Sequence, residues 1–138
     1  MKLQITQENL NKISDYADHS ISYIYSCHVL QKFTKEELLD IFKELKRILS
    51  DGEIIRISVP DYYLLSDKYI KSKCRIEEIN KILKDSKIFL DFVLLHKLLI
   101  QSGFYAVKRY DSQKLGAEDE STLVINGEII SLNIEAYG

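Results

Sequence analysis

Proline occurs once in these 138 residues, at position 60, and glycine five times, at 52, 103, 116, 127 and 138. With no proline- or glycine-rich stretch, no repeat and no low-complexity segment, nothing marks an internal boundary, and residues 1–138 read as one domain. Cysteine is limited to Cys27 and Cys74, without a C-x-x-C or a Cys/His ligand spacing. A disulfide framework and a metal site are therefore not expected, and two reduced thiols suit a cytosolic chain. No apolar run reaches the roughly 18 residues of a membrane span. The opening MKLQITQENLNK has no apolar signal-peptide core, so a soluble, cytoplasmic protein is expected. A dominant charge is missing too. The net charge of −2 and pI of about 5.9 give no general attraction to nucleic acid. The local basic run Lys68, Lys71, Lys73 and Arg75 is followed at once by Glu77 and Glu78, and reads as a solvated face.

What is present belongs to a globular chain: 46% hydrophobic and 29% charged residues exclude a disordered one. Residues 3–5 suit a short strand and residues 21–26 a buried one. Thr34 with Glu37 forms a capping box, in which the hydroxyl accepts from the third helical N–H and the carboxylate reaches back. Leu38, Phe42, Leu45 and Leu49 follow at helical spacing, widened by Leu39, Ile41 and Ile48, and Gly52 is expected to stop the helix in the left-handed position. Residues 53–59 have the β-branched density of a central strand, which Pro60 ends because it has no N–H to donate. Residues 66–84 read as a charged helix. Residues 88–101 read as a second amphipathic helix, with Phe89, Phe92, Val93, His96, Leu99 and Ile100 on its apolar side and Gly103 at its end. Residues 104–110 and 129–136 read as strands and residues 111–120 as a loop, while Asn126-Gly127 is a type I′ hairpin signal. Helices alternating with strands predict a parallel layer. The last two strands, joined without a helix, predict an antiparallel finish.

That order, with its residues, resembles the C-terminal half of a class I S-adenosylmethionine (SAM)-dependent methyltransferase, of the small bacterial methyltransferase-like group. SISYIYSCHVLQKF is similar to the family's fourth strand and following loop, and ELKRILSDGEIIRISVPDY to its next helix and fifth strand. LLHKLLIQSGFYAVKRYD is similar to the later helix and sixth strand, and EIISLNIEAYG to the closing strand. The resemblance covers residues 18–138. It implies an α/β fold: a truncated Rossmann-like methyltransferase sheet of parallel strands with an antiparallel C-terminal strand pair. It also implies the sheet order 3-2-1-4-5-7-6 and SAM as cofactor, with a small hydroxylated or amino-sugar-like substrate.

The departures are equally specific. The family's glycine-rich E/D-x-G-x-G turn, where the backbone approaches the cofactor, has no counterpart here, and residues 1–17 hold no glycine. That segment is matched at best to the family's third strand. The usual aspartate of the fourth strand is Ser22, and the Glu-His pair after it is Gln31-Lys32. The resulting expectation is a methyltransferase-like protein unable to bind SAM or catalyse alone, with the missing half supplied in trans. The alternative is a non-catalytic dimerisation or regulatory module derived from a methyltransferase. An apolar fourth strand left open at its edge invites a homodimer, or a complex with a chain carrying the missing half. Within the matched segments, His28 is the candidate general base and Ser26 and Cys27 the candidate cofactor contacts. Asp61 and Tyr62 are the candidate substrate contacts, with a helix cap as the other reading of Asp61.

Overall fold

Thr34 starts the best-defined helix as its sequence requires. Its hydroxyl accepts from the Glu37 N–H at 3.2 Å, and the Glu37 carboxylate accepts from the Thr34 N–H at 3.0 Å. The structure, a computed structural model, describes residues 1–110, 124–125 and 128–138. Its elements in chain order are β1 (Lys2–Ile5), β2 (Ile21–Cys27), α1 (Lys35–Ile48), β3 (Leu49–Pro60), α2 (Tyr62–Ile70), α3 (Ile76–Ile82), α4 (Phe92–Gln101), β4 (Tyr105–Arg109), β5 (Val124–Ile125), β6 (Glu128–Ile129) and β7 (Ser131–Tyr137). Short 3-10 turns occupy Leu10–Asp15 and Leu30–Lys32. None of the described helices is long and apolar enough to cross a membrane.

Five strands form one sheet in the order β1-β2-β3-β7-β4. β1, β2 and β3 run parallel, and β7 lies antiparallel to both β3 and β4, giving the mixed α/β sheet with an antiparallel C-terminal part. Alternation along the strands sorts the two faces. Leu3, Ile5, Ile24, Ile55, Ile57, Val59, Leu132, Ile134 and Ala136 turn to the face that packs against Leu38, Phe42, Leu45 and Ile48 of α1 and Leu95, Leu98 and Leu99 of α4. The intervening positions are mostly polar or aromatic. There Glu135 pairs with Arg56 and with Lys108, both at 3.2 Å, and Tyr105 stacks on Tyr137.

Several boundaries depart from the sequence reading. Gly52 does not end α1. The chain passes directly from Ile48 into extended Leu49, which is fully buried and pairs with Ile21. Gly52, at φ +79°, instead serves the irregular stretch of β3 between the Leu49 and Ile54 pairings. The charged helix of residues 66–84 is two helices, α2 and α3, with Ser72 between them at φ +57°. α4 starts four residues later than expected, because Asp91 caps it by accepting from the Leu94 N–H at 2.9 Å. Its buried face is Leu95, Leu98 and Leu99, while Val93 is 73% exposed. The closing strand is likewise divided, β6 and β7 being separated at Ile130. The loop at residues 111–120 and the Asn126-Gly127 turn lie outside the described residues, but β5 and β6 do pair antiparallel across that dipeptide.

The largest correction concerns the N-terminal strand. β1 pairs in parallel with β2 through Lys2–Tyr23, Leu3–Ile24, Gln4–Tyr25 and Ile5–Ser26. The fourth-strand edge is therefore filled. β1 stands beside β2, a position that the order 3-2-1-4-5-7-6 gives to strand 1, not strand 3. Leu3 and Ile5 hold it there by entering the core, at 7% and 1% exposure.

Candidate functional site

At the carboxyl end of the parallel strands, β2 stops in a left-handed residue. His28 has φ +54°, and its N–H donates to the Ser58 carbonyl at 2.7 Å. This turns the imidazole across the sheet toward residues far away in sequence. Nε2 lies 3.1 Å from the Ser131 hydroxyl and 3.4 Å from that of Ser58, and Nδ1 lies 3.6 Å from Cys27 Sγ. The ring thus ties together the ends of β2, β3 and β7. A thiol against an imidazole nitrogen can pass it a proton, and the hydroxyls hold the ring in one orientation.

Ser26 is not part of this group. It alternates onto the core face, fully buried, and its hydroxyl has no hydrogen-bond partner among the described residues. Of the candidates after β2, the structure joins Cys27 and His28 and separates Ser26 from both.

Asp61 is buried and caps α2, accepting from the N–H groups of Tyr63 at 3.0 Å and Leu64 at 3.4 Å. Its second oxygen lies 3.6 Å from Arg109 Nη1. Burial raises its pKa above the ordinary carboxylate value, and the helix N–H groups and Arg109 only partly offset this. The cap expected of Asp61 is thus present through Oδ1. Tyr62 does face outward. Stacked on Phe89 at 4.9 Å, it lines an apolar cavity of about 340 Å³ with Leu65, Tyr69, Ile70, Ile76 and Ile79.

The turn after β1 is closed on itself. The Thr6 N–H donates to Asn9 Oδ1 at 2.8 Å and the Asn9 N–H to Thr6 Oγ1 at 3.2 Å. Asn9 Nδ2 donates to the Gln4 carbonyl at 2.6 Å. A second cavity, of about 440 Å³, opens beside this turn and is lined by Gln7, Lys32, Lys84, Asp85, Ser86 and Lys87.

No family profile matches the sequence, and no curated protein sequence matches it. Solved structures do. A SAM-dependent methyltransferase from Archaeoglobus fulgidus superposes with a TM-score of 0.62 at 15% identity, over 97% of this chain and 66% of that one. A SAM-dependent methyltransferase from Thermotoga maritima gives 0.58 at 19% identity, over 88% and 58%. The methyltransferase SibL gives 0.60 at 13% identity, over 91% and 33%. The fold is that of SAM-dependent methyltransferases. The chain spans a third to two thirds of the length of these three structures.

Sequence reasoning missed Ser58, Ser131, Arg109, Gln7, Lys84 and Lys87. Ser131 lies 103 positions from His28, and no local pattern announces that pairing. Lys32 was visible only as a departure from the family's Glu-His pair.

Proposed function

We propose that this chain is a non-catalytic binding or regulatory module on a methyltransferase fold, unable to bind SAM by itself. The observation that carries this reading is the occupant of the slot beside β2. By resemblance that slot belongs to the strand that delivers the glycine-rich turn. Here it holds β1, followed by Thr6-Gln7-Glu8-Asn9, whose Thr6 and Asn9 N–H groups are spent on the turn's own side chains. A cofactor approaching the backbone would meet side chains where glycines leave room, and committed donors where free ones are needed. The residues present do not fit SAM.

The same observation weighs against completion in trans. A chain bringing its own first strand and glycine turn would have to displace β1, together with the buried Leu3 and Ile5. The test is calorimetric titration of SAM into the full chain, with no binding expected at micromolar concentration. Micromolar affinity overturns the proposal. So does methyl transfer that appears when a second polypeptide is added.

A further inference from the structure

We infer that the cavity at the carboxyl ends of β1 and β2 binds a phosphorylated small molecule, an inference that rests on the module reading above. Three elements build it. Gln7 leaves β1, Lys32 closes the 3-10 turn after β2, and residues 84–87 cross over that turn. The crossing is fixed by backbone bonds, since the N–H groups of Lys87 and Ile88 both donate to the Gln31 carbonyl, at 2.9 and 3.4 Å. In open sheets of parallel strands, this end is where ligands bind.

The charge of the lining sets the ligand class. Lys32, Lys84 and Lys87 bring three ammonium groups and Asp85 one carboxylate, two positive charges in excess. No carboxylate of the described residues lies within 4.0 Å of these three ammonium groups. Glu37 is near enough to feel Lys87, but its carboxylate is committed to the Thr34 N–H. Three ammonium groups lining one cavity with a single carboxylate leave positive charge in excess, which an anion placed among them balances. Gln7 and Ser86 add neutral groups for a hydroxylated body, and about 440 Å³ accommodates a molecule of sugar-phosphate size. SAM, with a sulfonium, an ammonium and a single carboxylate, carries net positive charge and is repelled by the same lining.

Inorganic pyrophosphate is the probe, titrated calorimetrically into the full chain at low salt and again at 0.15 M. Binding is expected under both conditions, weaker at the higher salt. K32A and K87A should each weaken it by about tenfold, the scale of one charge-assisted hydrogen bond. K43A, on exposed α1, should leave it unchanged. Circular dichroism checks that each variant is folded. No binding, or binding that K32A, K84A and K87A all leave intact, overturns the site. A parallel SAM titration separates the two readings. Silence from both ligands removes the anion site alone, whereas SAM binding without pyrophosphate binding removes both.

Discussion

At the scale of single residues, the candidates divide by what holds them. His28 is gripped from both sides, by Cys27 on one nitrogen and by Ser131 and Ser58 on the other, so its position belongs to the sheet rather than to its own loop. Asp61 is a cap placed under unusual burial. Because burial raises its pKa, the folded state holds this proton more tightly than the unfolded chain does. The stability it contributes is complete below the unfolded carboxylate pKa and is lost as pH rises through the higher folded value. Asp61→Asn keeps a capping oxygen and removes the buried charge, so its stability should equal or exceed that of the parent at pH 7 and lose this pH dependence. Asp61→Ala loses the cap and should fall below Asp61→Asn by about 1 kcal/mol. Urea denaturation of the three proteins at pH 4 and pH 7 measures both effects. The sequence offered cap and substrate contact as equal readings of Asp61, and the cap depends on Ile130 and Leu90. Their carbonyls accept from the Asp61 and Tyr62 N–H groups and fix where α2 begins.

At the scale of elements, α1 was legible because all its signals are local. The capping box, the stripe of Leu38, Phe42 and Leu45 and the chain direction agree without help from the rest of the fold. α4 was legible as a helix, but not in its start or its full buried face, because the run FVLLHKLLIQ is apolar enough to offer more than one face. The core chose Leu95, Leu98 and Leu99 and left Val93 in solvent. Leu95→Ala should therefore cost about 3 kcal/mol, the scale of a large-to-small change in a packed core. Val93→Ala should stay within about 0.5 kcal/mol of the parent, as expected for an exposed position. Chemical-denaturation midpoints of the pair distinguish the two faces, and equal losses would restore the face expected from sequence. The end of α1 carries a related lesson. Gly52 looked like a helix stop, but Leu49 had already left the helix to pair with Ile21, a contact between residues far apart in the chain.

At the scale of the whole molecule, β1 covers the β2 edge that was expected to stand open. With β1 in place the edge strand is short and carries Lys2, and the opposite edge, β4, carries Lys108, Arg109 and a left-handed Ala106 at φ +52°. Short strands, basic side chains and irregularities all discourage strand addition. The association expected from strand 21–26 rested on an open edge that β1 occupies. Removing residues 1–8 should restore that cause by uncovering β2, whose neighbouring positions include Ile21, Ile24 and Tyr25. Light scattering should show a larger species for the shortened chain than for the full one, with circular dichroism confirming that the rest stays folded. The same mass for both would mean that β1 does not protect that edge.

The sequence by itself determined the class of the fold, the coarse alternation of its strands and helices, the capped helix α1 and the absence of a glycine-rich turn, all properties of adjacent residues. Only the tertiary structure decided which strand lies beside β2, which face of α4 is buried, and which side chains meet His28. It also gathered Lys32 with Lys84 and Lys87, some fifty positions further along the chain. The physical reason is the same in each case. Neighbours across a sheet are chosen by the burial of whole strands such as Leu3 with Ile5, and that choice is made by the core as a unit rather than by any one segment.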